Sequence, residues 1–161
     1  MKPSINGSKN KVFTFRIGGG VYNIYSNIAK NEPHLIWLGN NTTIGGNVEF
    51  VTHDNSISKV FPGEASDLFG RIVIGENCFI GARSVILYGV TLADNVIVAA
   101  GSVVTHSFEQ NNIVIGGNPA KILTTWEKFG EKSKPYIWNL ENVSLDEMKR
   151  KTNLGEKLVK R

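Results

Sequence analysis

Cysteine occurs once in this chain of 161 residues, at position 78, so no internal disulfide can form. No run of 18 apolar residues exists, and no membrane-spanning helix is expected. Residues Met1–Asn10 lack the apolar stretch of a signal peptide. A soluble, cytoplasmic protein is the expectation. Basic charge is also scarce where a nucleic acid would need it. The net charge is +4, but from Ile122 onward nine Lys or Arg face six Asp or Glu, so the tail carries +3 of it. The rest is nearly neutral and offers no basic stripe. Histidine occurs three times, at 34, 53 and 106, without the close pair that a zinc site favours.

What the chain does have is a period. From Ile74 it reads in sixes, with first places at Ile74, Ile80, Ile86, Leu92, Val98 and Val104. The fifth places are Cys78, Ser84, Val90, Val96, Ser102 and Phe108, and the second places are mostly Gly, Ala or Thr. Six residues fit neither the helical period nor the alternation of a plain strand. They predict a coil of short parallel strands, each ending in a turn, with the first-place aliphatic inward. One such side chain, fully buried, contributes about 1.5–3 kcal/mol. A single coil cannot bury its own face, so several must stack. Gly or Asn near the corners permits unusual backbone angles. Cys78 reads as a small buried filler rather than a nucleophile.

Taken in order, Lys11–Ile17 alternates and reads as a strand, and Ile17–Tyr22 as a degenerate first repeat. Asn31-Glu32-Pro33-His34 interrupts as a turn. The hexads resume at Leu38, Ile44 and Phe50 and break over residues 56–71, a long loop of the kind that is often functional. Ile113–Ile115 is a last strand, and Gly116–Lys121 closes the coil. Trp126 and Phe129, spaced three apart, suggest a short amphipathic helix. Ser144-Leu145-Asp146-Glu147 has capping-box spacing, so a second helix should begin near Leu145 and end by Gly155. Lys149-Arg150-Lys151 reads as a solvated helix face. Residues 1–122 are thus expected to form the repeat domain, with its inserted loop, and residues 123–161 a helical extension.

The hexad run followed by Gly117-Asn118-Pro119-Ala120-Lys121 resembles the hexapeptide-repeat acyltransferases, and within them the sugar O-acetyltransferases related to the galactoside, maltose and xenobiotic acetyltransferases. The resemblance covers about Ile17 to Leu123. It implies an all-β fold, a left-handed parallel β-helix of three hexads per coil. That hand runs against the usual right-handed crossover. It also implies a homotrimer, with acetyl-CoA in the groove between neighbouring subunits.

Transfer of an acetyl group to a sugar hydroxyl needs a base, an oxyanion donor and a groove for the pantetheine arm. Relatives place their catalytic histidine beside a long loop, so the resemblance assigns general base to His53. Asp54 suggests itself as an orienter or acceptor contact, although adjacent strand residues point to opposite sides. For the coenzyme the matching positions are Gly81, Ala82, Ala99 and Ala100, with the N–H of Ala82 as oxyanion donor. Thr105, His106 and Lys121 match positions toward the nucleotide end. A neutral imidazole at 106 is a weaker phosphate partner than the lysine that relatives often carry. Plain coil geometry also explains small residues at 81, 99 and 100. Phe79 matches an aromatic near the acetyl group, and Asp67, Phe69, Tyr25 and Asn27 are candidate walls for the acceptor. His34 reads as a surface residue.

The leading expectation is an acetyl-CoA-dependent O-acetyltransferase acting on a sugar hydroxyl, in surface polysaccharide or lipopolysaccharide assembly, with no metal. The rivals are an N-acyltransferase on a nucleotide-linked amino sugar, a zinc-dependent carbonic anhydrase of the same architecture, and a non-catalytic scaffold.

Overall fold

The computed structural model describes residues 16–17, 19–20, 22–23, 32–155 and 157–159. The strand expected over 11–17 is described only at Arg16–Ile17, and Tyr25 and Asn27 lie outside the described residues.

The six-residue period becomes a rotation through three sheets. The first contains β1 (Arg16–Ile17), β3 (Ile36–Leu38), β8 (Ile72–Ile74) and β11 (Thr91–Leu92). The second contains β2 (Tyr22–Asn23), β4 (Thr43–Ile44), β9 (Phe79–Ile80), β12 (Val96–Val98), β14 (Ile113–Gly117) and β15 (Ala120–Thr125). The third contains β5 (Glu49–Val51), β10 (Val85–Leu87) and β13 (Val103–Val104). From β8 to β13 the chain visits first, second and third sheet twice in succession. The strands pair in parallel 18 residues apart: Val73 with Thr91, Ile80 with Val98, Ile86 with Val104.

The core follows from the register. Ile44, Ile80, Ile86, Val98 and Val104 are all 0% exposed, and each occupies a first place. Their strand neighbours Thr43, Val85, Ile97 and Val103 are half-buried and Phe79 is exposed, as strand alternation requires, since one side chain enters the core and the next turns away from it. The fifth places are buried as well, from Ser84 at 0% to Phe108 at 7%. Cys78 fills such a place. Its sulfur lies 3.3 Å from the carbonyl of Ala93, and burial pushes its thiol up to about 11, which leaves it an inert filler.

The fourth places make the corners. Asn41, Asn47, Asn77 and Asn95 sit there with φ between 53° and 58°, in the left-handed region that Asn tolerates better than most residues. Asn77 also donates its side-chain amide to Asn95 one coil on, at 2.8 Å. Arg83 occupies the same place at φ 61° without the local hydrogen bonding that favours Asn.

One excursion interrupts the stacking. Leu38 pairs with Ile74, 36 residues on rather than 18, so the chain leaves and returns with 18 extra residues. The stretch expected as a long loop over residues 56–71 contains a short helix and the second strand of a hairpin that starts just before it. β6 (His53–Asp54) pairs antiparallel with β7 (Leu68–Phe69), and a short helix α1 (Ile57–Val60) lies between them.

The repeat unit packs as residues 1–123, and residues 124–161 form a second unit. β15 runs on to Thr125, three residues past the expected end of the repeat domain. In the second unit α2 (Trp126–Ser133) is capped by the Thr125 hydroxyl, which accepts from the N–H of Lys128. α3 (Leu145–Asn153) is capped by Ser144 accepting from the N–H of Glu147, and Gly155 follows it with φ 71°. Among the described residues no helix is long and apolar enough to cross a membrane.

Candidate active site

The edge that follows the third sheet carries His53. The strand β5 ends at Val51, Thr52 turns into the core, and the imidazole of His53 faces outward where the excursion begins. Its side chain is 38% exposed. The ring centroid of Phe69, across the β6–β7 pair, lies 5.7 Å away at 39° to it.

The imidazole is held by a residue that the sequence did not single out. Glu32 Oε2 lies 3.2 Å from His53 Nδ1 and accepts at 2.7 Å from the hydroxyl of Thr52. The Thr52 hydrogen bond, and after it that of His53, holds the Glu32 carboxyl below the usual carboxylate range. Asp54 turns the other way, as alternation along a strand requires. Its Oδ1 accepts from the N–H of Ser56 at 2.7 Å, and its Oδ2 accepts from the Tyr88 hydroxyl at 3.2 Å. Those two donors, Ser56 first, keep Asp54 ionised below its ordinary range, and burial beside that carboxylate pushes the Tyr88 phenol up. Asp54 therefore ties the start of the excursion to the next coil instead of orienting His53.

Other residues considered from the sequence fall into two groups. Thr105 and His106 share the histidine edge, because Val104, Ile86 and Phe50 stand in register on the third sheet. Both are exposed; the Thr105 hydroxyl lies 3.3 Å from His106 Nδ1, and the His106 ring packs 4.5 Å from Phe108. Asp67 is half-buried just before β7, whose Leu68 pairs with Asp54.

Gly81, Ala82, Ala99 and Ala100 occupy a different edge, the one after the second sheet. Gly45, Gly81 and Ala99 stack there, with Gly46, Ala82 and Ala100 beside them. A Cβ built on Gly81 would meet the backbone N of Ala100 at 2.4 Å, so close coil-on-coil approach requires the glycine. At the edge after the first sheet, side chains cap outward amides: Asn40 Oδ1 accepts from Gly19 and Asp94 Oδ1 from Glu76. At the edge after the second sheet the residues are Gly46, Ala82 and Ala100, which carry no such acceptors. Among the described residues no group accepts from their N–H. Ala82 and Ala100 are exposed and Gly46 is half-buried. Phe79, 45% exposed, projects from the second sheet, as does Lys121 from β15. Neither shares the histidine edge.

The family described as the hexapeptide repeat of succinyl-transferase matches residues 71–106. Protein CapG of Staphylococcus aureus is 43% identical over 132 residues, which spans 80% of this chain and 70% of that protein. A maltose O-acetyltransferase from Clostridium difficile superposes with a TM-score of 0.61 at 28% identity, over 68% of this chain and 57% of that one. A hexapeptide-repeat-containing acetyltransferase from Vibrio cholerae, solved with acetyl coenzyme A, superposes at 0.60 with 30% identity, over 68% of this chain and 59% of that one. The chain thus spans less than two thirds of these two acetyltransferases.

Proposed function

The chain belongs to the hexapeptide-repeat acetyltransferase family, and from that premise we propose that it transfers the acetyl group of acetyl-CoA to a sugar hydroxyl with His53 as general base. The observation that carries this reading is the imidazole itself. One of its nitrogens is engaged by Glu32, and the ring stands outward at the mouth of the 18-residue excursion. A hydroxyl is a poor nucleophile until its proton is accepted as it attacks, and a neutral imidazole suits that task.

Acetyl-CoA supplies the activated acyl carbon. Oxygen–carbon bond formation breaks the carbon–sulfur bond, and the proton taken by His53 is available to the leaving sulfur. The open amides of Gly46, Ala82 and Ala100 fit a pantetheine arm, which carries amide carbonyls that need donors. The Ala82 N–H is assigned to the developing oxyanion. Thr105, His106 and Lys121 are assigned to the nucleotide end, Asp67 and Phe79 to the acceptor and acetyl ends.

The histidine edge and the amide edge are separate edges of one chain. A second copy whose amide edge faces His53 would complete the site, and this supports the homotrimer as part of the proposal. The left-handed winding, the division into residues 1–122 and 123–161, a cytoplasmic location and a place in surface polysaccharide or lipopolysaccharide assembly belong to it as well. The maltose acetyltransferase among the similar structures supports a carbohydrate acceptor.

The test is calorimetric titration with acetyl-CoA, with acetyl phosphate as a control that lacks the nucleotide. Saturable binding near one site per chain for the first alone is expected, followed by acceptor-dependent thiol release on a panel of hexoses that His53→Ala abolishes. A folded protein that does not bind acetyl-CoA would sink the proposal. An amine acceptor preferred over every hydroxyl would redirect it to N-acylation.

A further inference from the structure

The geometry points to Glu32 as the positioning residue of the reaction, a carboxylate that fixes which nitrogen of His53 is left to act as base. The inference rests on His53 being that base. An ionised carboxylate only accepts hydrogen bonds. Glu32 Oε2 lies 3.2 Å from His53 Nδ1, so in the neutral imidazole the proton resides on Nδ1 and the lone pair on Nε2. Free imidazole in water has no such constraint, and a base with its proton on Nε2 would present a donor to the acceptor hydroxyl instead of a lone pair.

Three further contacts make the placement firm. The buried Thr52, 3% exposed, donates to the same Glu32 oxygen at 2.7 Å and so fixes where that oxygen stands. Phe69 packs against the ring from the returning strand. The competing carboxylate, Asp54, already accepts from Ser56 and Tyr88. Glu32 is thus the carboxylate that touches the imidazole, and it comes from 21 residues upstream, outside the repeat.

The tautomer can be read without any acceptor, from long-range proton–nitrogen correlation spectra of His53 at a pH where its ring is neutral. Wild type is expected to show the Nδ1–H form. Glu32→Ala should give a mixture, and Glu32→Gln, which keeps an acceptor oxygen, should restore most of the Nδ1–H form. With the hexose identified as acceptor, Glu32→Ala should lower kcat about 10- to 100-fold, the range typical of a lost orienting partner. KM for acetyl-CoA should stay within about twofold, and Glu32→Gln should fall between the two. A purely structural Glu32 would lower apparent kcat only in proportion to the folded protein lost and leave the tautomer of the folded fraction alone. A wild-type spectrum of the Nε2–H form overturns the inference by itself, even if Glu32→Ala fails to fold. If the Nδ1–H form is found while His53→Ala keeps full turnover, the general base falls and the catalytic consequence of Glu32 with it.

Discussion

Gly81 offers a direct conflict between two explanations of one small residue. It matches a coenzyme position, yet its missing Cβ faces the next coil. An alanine Cβ there would lie 2.4 Å from Ala100 N, 2.7 Å from Ala100 Cα and 2.7 Å from Val98 O. Ordinary contacts start near 3.4 Å, so the two coils must part by several tenths of an ångström to about 1 Å. The atoms met are backbone, and they are held in the ladder: Gly81 donates to Val98 O at 2.8 Å and Gly101 to Ala82 O at 2.9 Å. Overpacking costs about 1–3 kcal/mol, and weakening one ladder hydrogen bond adds roughly 0.5–1.5 kcal/mol. Gly81→Ala should therefore destabilise by about 2–4 kcal/mol, which lowers the thermal midpoint by roughly 5–15 °C in a chain of this size. Urea unfolding gives the free energy directly. Gly130→Ala is the matched control: its Cβ meets nothing within 4 Å and it lies within α2, so a gain of about 0.5–1 kcal/mol is expected. If Gly81→Ala melts like wild type and loses only acetyl-CoA affinity, the stacking argument is refuted and the glycine serves the ligand alone.

Four other outcomes are expected. Arg83→Gly should stabilise by about 1 kcal/mol, because φ 61° suits glycine without strain; urea unfolding measures it. Ala100→Leu, on an exposed residue, should leave the melting temperature nearly unchanged while weakening acetyl-CoA binding at least ~10-fold in calorimetry, since the side chain would cover the amide column. His53→Ala should lower kcat by about 10²- to 10⁴-fold with unchanged acetyl-CoA affinity. Asp54 is held below its ordinary range by Ser56 and Tyr88, so its contribution is complete above the unfolded-state value and is lost as pH falls through the folded-state value. Thermal midpoints followed on acidification should drop less steeply for Asp54→Asn than for wild type; equal slopes would remove Asp54 from the account.

Much of this was legible because a repeat forces each residue to state its position several times. Ile80, Ile86 and Val98 could be placed inward from the period alone, and Asn77 and Asn95 at the corners from their place in it. The capping residue of α3 was legible for a local reason, since Ser144 and Glu147 are three residues apart. Glu32 was not. It lies in an irregular stretch, 21 residues from its partner, and no period relates the two. For Asp54 the alternation of strand residues already argued against a contact with His53, and its carboxylate accepts from Ser56 and Tyr88 instead. The excursion was visible as a break, but its paired strands are two residues each and too short to show a pattern. The extension of β15 to Thr125 depends on its pairing with β14, which sequence at 120–125 does not announce.

The excursion has a consequence for how such a chain diversifies. It departs and returns through facing residues, His53 opposite Phe69 and Asp54 opposite Leu68, so its two ends are already joined by β6 and β7. Doubling the length of a closed segment adds only about 0.6 kcal/mol of closure entropy. The segment is therefore an exchangeable cassette mounted beside His53. Under the proposed function, acceptor choice would be rewritten there by insertion, deletion or transplant while the edge that carries Ala82 and Ala100 stays as it is.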